Sequence, residues 1–289
     1  MTQPSPAMTR RPNFLVIGAM KCGTSTVCRF LELHPQVFMV PNADPDFFSN
    51  DRVWAQGWPW YESLFAAAAD QPMRGEGSNS YTQHARFPHA CERIAEHLPE
   101  AKLIYIVRDP IARIRSAWGQ IRADQGDNVH HDINEAVRLR PELFADTSCY
   151  WRQLSLYRRH YPDDRIWVGF MEDLKTQPLT FFTDLCRFLG IDTAPADEHH
   201  NLHQNPSSAK AVPTALYSRL RANPLVRGLT RCVLPTWRYG LRDRLLTKPI
   251  RDMPALTDDT LAWLSDQIAD DAKQLLAYCG KPTDFWTLR

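Results

Sequence analysis

Residues 13–19 (NFLVIGA) form an unbroken apolar run ending at a glycine and an alanine, the pattern of a strand buried on both faces. After a short polar turn, residues 24–34 (TSTVCRFLELH) carry Val27, Phe30, Leu31 and Leu33 on a helical stripe that Pro35 closes. A buried strand that runs directly into an amphipathic helix needs a sheet with cover on both sides. The rest of the chain supplies one. Further strands are expected over 36–40 (QVFMV), 102–107 (KLIYIV) and 165–170 (RIWVGF). Helical patterns follow over 111–125, with Pro110 in the first turn, and over 179–189, stopped by Gly190. A last helix spans about 257–279, before Gly280. Strands alternating with helices predict an α/β fold: a three-layer, P-loop-like arrangement with a central parallel sheet flanked by helices.

Length and composition narrow the options. At 289 residues the chain suits a single domain, with residues 1–12 expected as a flexible N-terminus. Residues 213–251 are expected as a basic, mostly helical insertion, because Arg219, Arg221, Arg227, Arg231, Arg238, Arg242, Arg244, Lys248 and Arg251 face few acids there. A solvated helical surface explains that bias, and so does a rim that recruits anions. The net charge of +1 argues against a general nucleic-acid binder but leaves room for a local anion pocket. Seven scattered cysteines without C-x-x-C spacing read as reduced thiols rather than a zinc site. The first apolar run is too short for a secretory signal, and a membrane span needs about 20 apolar residues. A cytoplasmic protein without a membrane span is the expectation.

The turn between the first strand and helix reads G-A-M-K-C-G-T-S-T. The first N–H groups of a helix lack partners, and the helix dipole adds positive potential there. Gly23 allows close backbone approach, Thr24, Ser25 and Thr26 supply hydroxyls, and Lys21 supplies a full charge. An ordinary Ser/Thr cap would account for the hydroxyls but not for the lysine. A phosphate-binding turn is therefore expected. A nucleotide-hydrolysing P-loop places its lysine after the second glycine, whereas Lys21 precedes Gly23 by two. No acid stands directly at the end of KLIYIV, since Arg108 comes before Asp109, so phosphate binding without a metal is expected.

A second anion site is expected where KLIYIV ends, in R-D-P-I-A-R-I-R-S-A-W. Ligands of open parallel sheets gather at the carboxyl ends of the strands, so Arg108 should lie beside the first turn. Arg108 can grip a phosphate with two N–H groups, and Ser116, about two helical turns on, can add a hydroxyl.

Together, K-C-G-T-S-T and R-D-P-I-A-R-I-R-S-A-W resemble the sulfotransferases that use 3′-phosphoadenosine 5′-phosphosulfate (PAPS). The nearer branch holds heparan sulfate sulfotransferases and their bacterial relatives. The resemblance implies sulfuryl transfer from PAPS to a hydroxyl or amine of a small-molecule or saccharide acceptor. It implies a 5′-phosphosulfate site at Lys21, Cys22, Gly23, Thr24, Ser25 and Thr26, and a 3′-phosphate site at Arg108 and Ser116. Lys210, in N-P-S-S-A-K, falls where relatives close a loop on the cofactor. S-C-Y-W-R-Q-L at 148–154 and F-M-E-D-L at 170–174 extend the match.

Sulfuryl transfer needs a base for the acceptor's proton and positive charge for the leaving phosphate. Relatives carry K-E-P-x-F-F with the Glu as base; this chain has A-D-P-D-F-F, which puts Asp44 on the base position, with Lys21 on the leaving group. Asp44 is one methylene shorter than Glu, Asp46 is an alternative, and Asp44 read as a plain turn residue before Pro45 is the bland option. Where relatives read close to G-E-K-S/T-P-x-Y, this chain has G-E-G-S-N-S-Y at 75–81. Glu76 stays, but Gly77 and Asn79 replace a lysine and a proline. With Ala43 replacing another lysine, two cations near the acceptor are gone, which predicts an acceptor less anionic than heparan. His130 and His131 read as solvated. The competing readings are a P-loop-like nucleotide kinase and an inactive protein that binds PAPS or its product.

Overall fold

The computed structural model describes residues 11–41, 44–125, 128–200, 211–213, 247–249 and 254–287. Five strands make the main sheet: β1 (Phe14–Gly18), β2 (Val37–Met39), β3 (Met73–Gly77), β4 (Lys102–Val107) and β5 (Ile166–Phe170). All neighbours pair in parallel, in the order β2-β3-β1-β4-β5. β1 lies in the middle, with Phe14, Leu15 and Ile17 completely buried. That is the environment its unbroken apolar run anticipates.

The connections fix where a ligand can sit. Helix α1 (Thr24–Leu33) carries the chain from β1 towards β2, while α5 (Pro110–Gln125) carries it away from β4 towards β5. The two departures diverge at the carboxyl ends of β1 and β4, which pair directly in the sheet. Such a switch point leaves a crevice above the sheet.

The remaining helices before α5 are α2 (Asp51–Trp54), α3 (Gly57–Ser63) and α4 (Ala90–His97). After it come α6 (Ile133–Leu139), α7 (Ala145–Ser148), α8 (Tyr150–Tyr157), α9 (Met171–Thr176), α10 (Pro178–Leu189) and α11 (Ala194–His199). The described chain closes with α12 (Asp258–Tyr278), whose first turn is capped by Thr257 Oγ1 accepting from Thr260 N. Asp271 of α12 accepts from Trp151 N and Arg152 N at 2.9 and 2.7 Å, which satisfies the first turn of α8. Gly190 ends α10 in the left-handed conformation at φ 76.

The segment that carries Asp44 is anchored by aromatic packing. Phe47 and Phe48 are fully buried, and Phe47 stacks on Tyr61 of α3 with centroids 4.2 Å apart. Burying each ring contributes roughly 2–3 kcal/mol, enough to hold a short loop in place. Six described cysteines are free thiols. Of the segment expected to be a basic helical insertion, the described parts are strand: Ala211–Pro213 pairs antiparallel with Thr247–Pro249. The rest of it, with Lys210, Ala43 and residues 1–10, lies outside the described residues.

Candidate active site

The turn leaving β1 is held open by its backbone. Lys21 and Gly23 take positive φ values of 72 and 95, and Gly23 occupies the N-cap of α1. No side chain caps that first turn; Thr26 N donates back to Gly23 O at 3.0 Å, and the N–H groups ahead of it are free of any side-chain cap. Lys21 pays a conformational cost that glycine would not, a feature common where geometry serves a site. Cys22 supports the turn from behind. Its N–H donates to Ala19 O at 3.2 Å, and its buried thiol lies 3.5 Å from the Tyr150 hydroxyl. Burial pushes that thiol up to about 11, so it stays protonated and acts as packing.

The second expected site lies beside the first. Arg108 Nη1 donates to Lys21 O at 3.4 Å, which joins the end of β4 to the turn after β1. Asp109 Oδ1 accepts from Ala112 N and so caps α5. One face of α5 then carries Arg113, Ser116 and Gln120 at helical spacing. Arg113 Nε donates to Met20 O at 3.2 Å, and Gln120 Oε1 accepts from Lys21 Nζ at 3.3 Å. Ser116, 5% exposed, lies between them on that face.

On the other side of the turn, α1 and the ends of β2 and β3 enclose a cavity of about 660 Å³. Thr24, Ser25, Cys28, Arg29 and Glu32 line it from one face of α1; Asp44 and Asn79 line it from the loops opposite. Asp44 Oδ1 accepts from both the backbone N–H and the side-chain Nδ2 of Asn79, each at 3.2 Å. Thr24 Oγ1 in turn donates to Asn79 Oδ1 at 3.1 Å. Asp44 opens onto the cavity, yet its walls strip away part of its water. That desolvation raises its pKa above the ordinary carboxylate range, against the lowering effect of the Asn79 N–H.

Behind Asp44 lies a fully buried carboxylate, Glu76. It accepts from Tyr81 Oη at 2.6 Å, Ser78 Oγ at 2.9 Å and Tyr61 Oη at 3.1 Å. Burial pushes Glu76 up to about 7, and the three hydrogen bonds oppose that rise. Ser78 Oγ also accepts from Asp46 N at 3.0 Å, so Glu76 reaches the Asp44 segment through Ser78. Asp46 has a φ of 54 and accepts from Ser80 Oγ; it is not among the cavity-lining residues. Of the two aspartates, the geometry places Asp44 at the cavity.

The sulfotransferase domain family matches residues 11–249, most of the chain. This chain belongs to that family. Mouse heparan sulfate glucosamine 3-O-sulfotransferase 3A1 is 30% identical over 200 residues, covering 67% of this chain and 49% of that protein. Human heparan sulfate glucosamine 3-O-sulfotransferase 6 is 36% identical over 202 residues, covering 67% and 56%. The chain thus spans about half the length of the curated relatives it matches. A sulfotransferase from Alicyclobacillus acidocaldarius shares the fold, with a TM-score of 0.64 at 20% identity, over 94% of this chain and 97% of the other. No described helix is long and apolar enough to cross a membrane.

Within this sulfotransferase domain, the structure brings Lys21 to Arg108 and, through Asn79, Thr24 to Asp44. Ser25 faces the cavity, and Thr26 is half-buried within the first turn. His130 and His131 are exposed and pack against each other at a tilt, centroids 4.5 Å apart, rather than lining the cavity. Sequence reasoning gave no role to Arg29, Arg113 and Gln120, and noted Asn79 only as a departure from the family pattern. Gln120 had a usable signal, its spacing of four from Ser116. Arg29 likewise lies four after Ser25, and it adds a cation to the α1 face of the cavity. Its guanidinium is engaged by Glu32 at 2.6 Å.

Proposed function

We propose that this chain transfers a sulfuryl group from PAPS to a hydroxyl or amine of a small acceptor, with Asp44 as the base. The observation that carries this reading is the short bridge Thr24–Asn79–Asp44. It links an uncapped helix N-terminus on one side of the cavity to an open carboxylate on the other. The turn's features fit the donor: Gly23 leaves room for a phosphosulfate, and Lys21, Thr24, Ser25 and Thr26 supply charge and hydroxyls. Arg108 and Ser116 would hold the 3′-phosphate, and Lys210 stays an expected further ligand. PAPS supplies the sulfuryl group and a stable phosphate leaving group.

In the reaction the acceptor's oxygen or nitrogen attacks sulfur as the sulfur–oxygen bond to phosphate breaks. Asp44 takes the acceptor's proton. Lys21 and the first-turn N–H groups meet the charge that develops on the departing phosphate oxygen. Retained Glu76, held by two tyrosines and a serine, keeps the Asp44 segment in position.

The cavity also bears on the acceptor. Its described charged lining is Glu32 and Asp44 against Arg29, and Val16, Met39, Val40 and Pro41 form an apolar flank. This combination favours a neutral or amine-bearing small molecule or sugar over a polysulfated chain. The test is to incubate the protein with PAPS and, in turn, N-acetylglucosamine, glucosamine, 2-naphthol, phenethylamine and a heparan sulfate oligosaccharide. Mass spectrometry then reads a gain of one sulfuryl group. A small alcohol or amine should gain it; preference for the oligosaccharide would overturn the acceptor assignment. Adenosine 3′,5′-bisphosphate should bind with magnesium absent, whereas strict magnesium dependence would support the kinase alternative.

A further inference from the structure

We propose that Asn79 is the positioning residue that makes an aspartate work at this site, by gripping Asp44 Oδ1 and turning Oδ2 towards the acceptor. The inference rests on the reading of Asp44 as base.

The geometry is specific. Both donors of Asn79, the backbone N–H and Nδ2, converge on the same oxygen of Asp44. Asp44 Oδ2 has no hydrogen-bond partner among the described residues, which leaves its lone pairs for an acceptor proton. A carboxylate only accepts, so the amide group of Asn79 must present nitrogen to Asp44, and its oxygen then faces Thr24. Thr24 Oγ1 donates to that oxygen, which locks the amide in the required orientation.

The residue itself is held from below. Asn79 O accepts from Gln83 Nε2 at 3.1 Å, and Gln83 Oε1 accepts from Arg86 Nη1 at 2.6 Å. Asn79 also opens the short 3-10 turn Asn79–Thr82, directly after the Ser78 that ties Glu76 to the Asp44 segment. A short carboxylate that reaches less far gains most from a fixed aim, because a base must lie within hydrogen-bond reach of the proton it removes. Proline at this position would lack the N–H and the amide alike.

The charged surroundings of Asp44 do not by themselves set its state. Asp46 on its own segment and Glu76 in β3 are acids that disfavour a second negative charge nearby. Across the cavity α1 presents Cys28, Arg29 and Glu32, with the arginine already paired. Arg86 faces Asp46. Asn79 is thus the group that hydrogen-bonds directly to the Asp44 carboxylate and favours its charged, proton-accepting form.

The experiment uses the full chain labelled with carboxyl-¹³C aspartate, and follows the Asp44 resonance by NMR across a pH titration. Asp44→Asn identifies the resonance by its loss. In Asn79→Ala the Asp44 midpoint should rise by about one pH unit, and kcat with PAPS and the acceptor found in the panel should fall about tenfold with KM for PAPS little changed. Asn79→Ser, which keeps a short donor, should recover part of both and serves also if the alanine variant fails to fold. An Asp44 midpoint that stays put in folded Asn79→Ala or Asn79→Ser would overturn the proposal. If instead Asp44→Asn transfers at the wild-type rate, the reading of Asp44 as base fails, a result separate from the titration.

Discussion

The guanidinium of Arg113 donates to Met20 O, 3.2 Å away, from a position with no solvent exposure. Its other nitrogens donate to Leu143 O, Phe144 O and Ser148 Oγ at 2.9–3.2 Å. No carboxylate balances it among these partners, so this buried charge is satisfied by carbonyl and hydroxyl dipoles. One side chain thereby fastens the turn carrying Lys21 to the segment leading into α7, and places positive potential under the candidate anion site.

Replacing Arg113 should therefore cost more than a typical buried substitution. Arg113→Met fills the volume but removes the buried donors to Met20 O, Leu143 O, Phe144 O and Ser148 Oγ. We expect a loss of about 3–5 kcal/mol in urea denaturation and weaker binding of adenosine 3′,5′-bisphosphate. Arg113→Lys should rescue little, because an ammonium cannot match the planar fork. Unchanged stability and affinity in Arg113→Met would contradict this account.

Glu76 predicts a pH dependence of stability. Its folded pKa, about 7, stands above the ordinary 4.5. Between those values the folded state holds a proton that the unfolded state has lost, so stability falls as pH rises through that window and levels off above it. The full change attributable to Glu76 is at most about 3 kcal/mol. Asp271, raised from 3.8 to about 6, acts with the same sign over a lower window. In Glu76→Gln the slope between pH 6 and 7 should flatten while the Asp271 component below pH 6 remains. Thermal melts collected across pH 4–8 would show the difference.

Gly77 and Cys28 should be energetically coupled. A Cβ on Gly77 would come within 2.9 Å of Cys28 Sγ and 3.4 Å of Val16 Cβ. Gly77→Ala should destabilise by about 1–3 kcal/mol, and in a Cys28→Ala background the same change should cost less than half as much. A double-mutant cycle in urea measures the coupling; strict additivity would show that the contact does not matter. The same contact gives a physical reason why a lysine at 77 and a cysteine at 28 do not fit together.

Loss of Asp44, the proposed base, should separate chemistry from binding. Asp44→Asn should lower kcat/KM for transfer by roughly 100-fold or more, while calorimetry finds adenosine 3′,5′-bisphosphate bound nearly as before. Asp46→Asn should have a much smaller effect on transfer, since Asp46 is turned to Ser80 rather than to the cavity.

How far the residues spoke for themselves depended on how local each signal was. β1, β4 and β5 were legible as apolar runs, α1 and α10 as periodic stripes, and the turn at 18–26 as a glycine–lysine–hydroxyl cluster at a strand–helix junction. Each of those is decided by neighbours a few residues apart. β3 was not legible: Met73–Gly77 reads MRGEG, with two glycines, an arginine and a glutamate, against any strand propensity. It becomes an interior strand because Gly75 leaves space that the Phe14 ring occupies, where a Cβ would meet ring atoms at 2.4 Å.

The sequence alone thus determined the layered parallel architecture and the candidate status of the 18–26 turn and of Lys21, Asp44, Arg108 and Ser116, because periodicity and turn chemistry are written in adjacent residues. Tertiary structure alone decided that Asp44 rather than Asp46 meets the cavity, that Glu76 holds its proton up to about pH 7, that Arg113 grips the turn after β1, and that Asn79 bonds to both Asp44 and Thr24. Those outcomes depend on partners 35, 55 and 93 residues apart along the chain, brought together and stripped of water only when the sheet closes. Burial and hydrogen-bond geometry, rather than residue type, then set what each group can do.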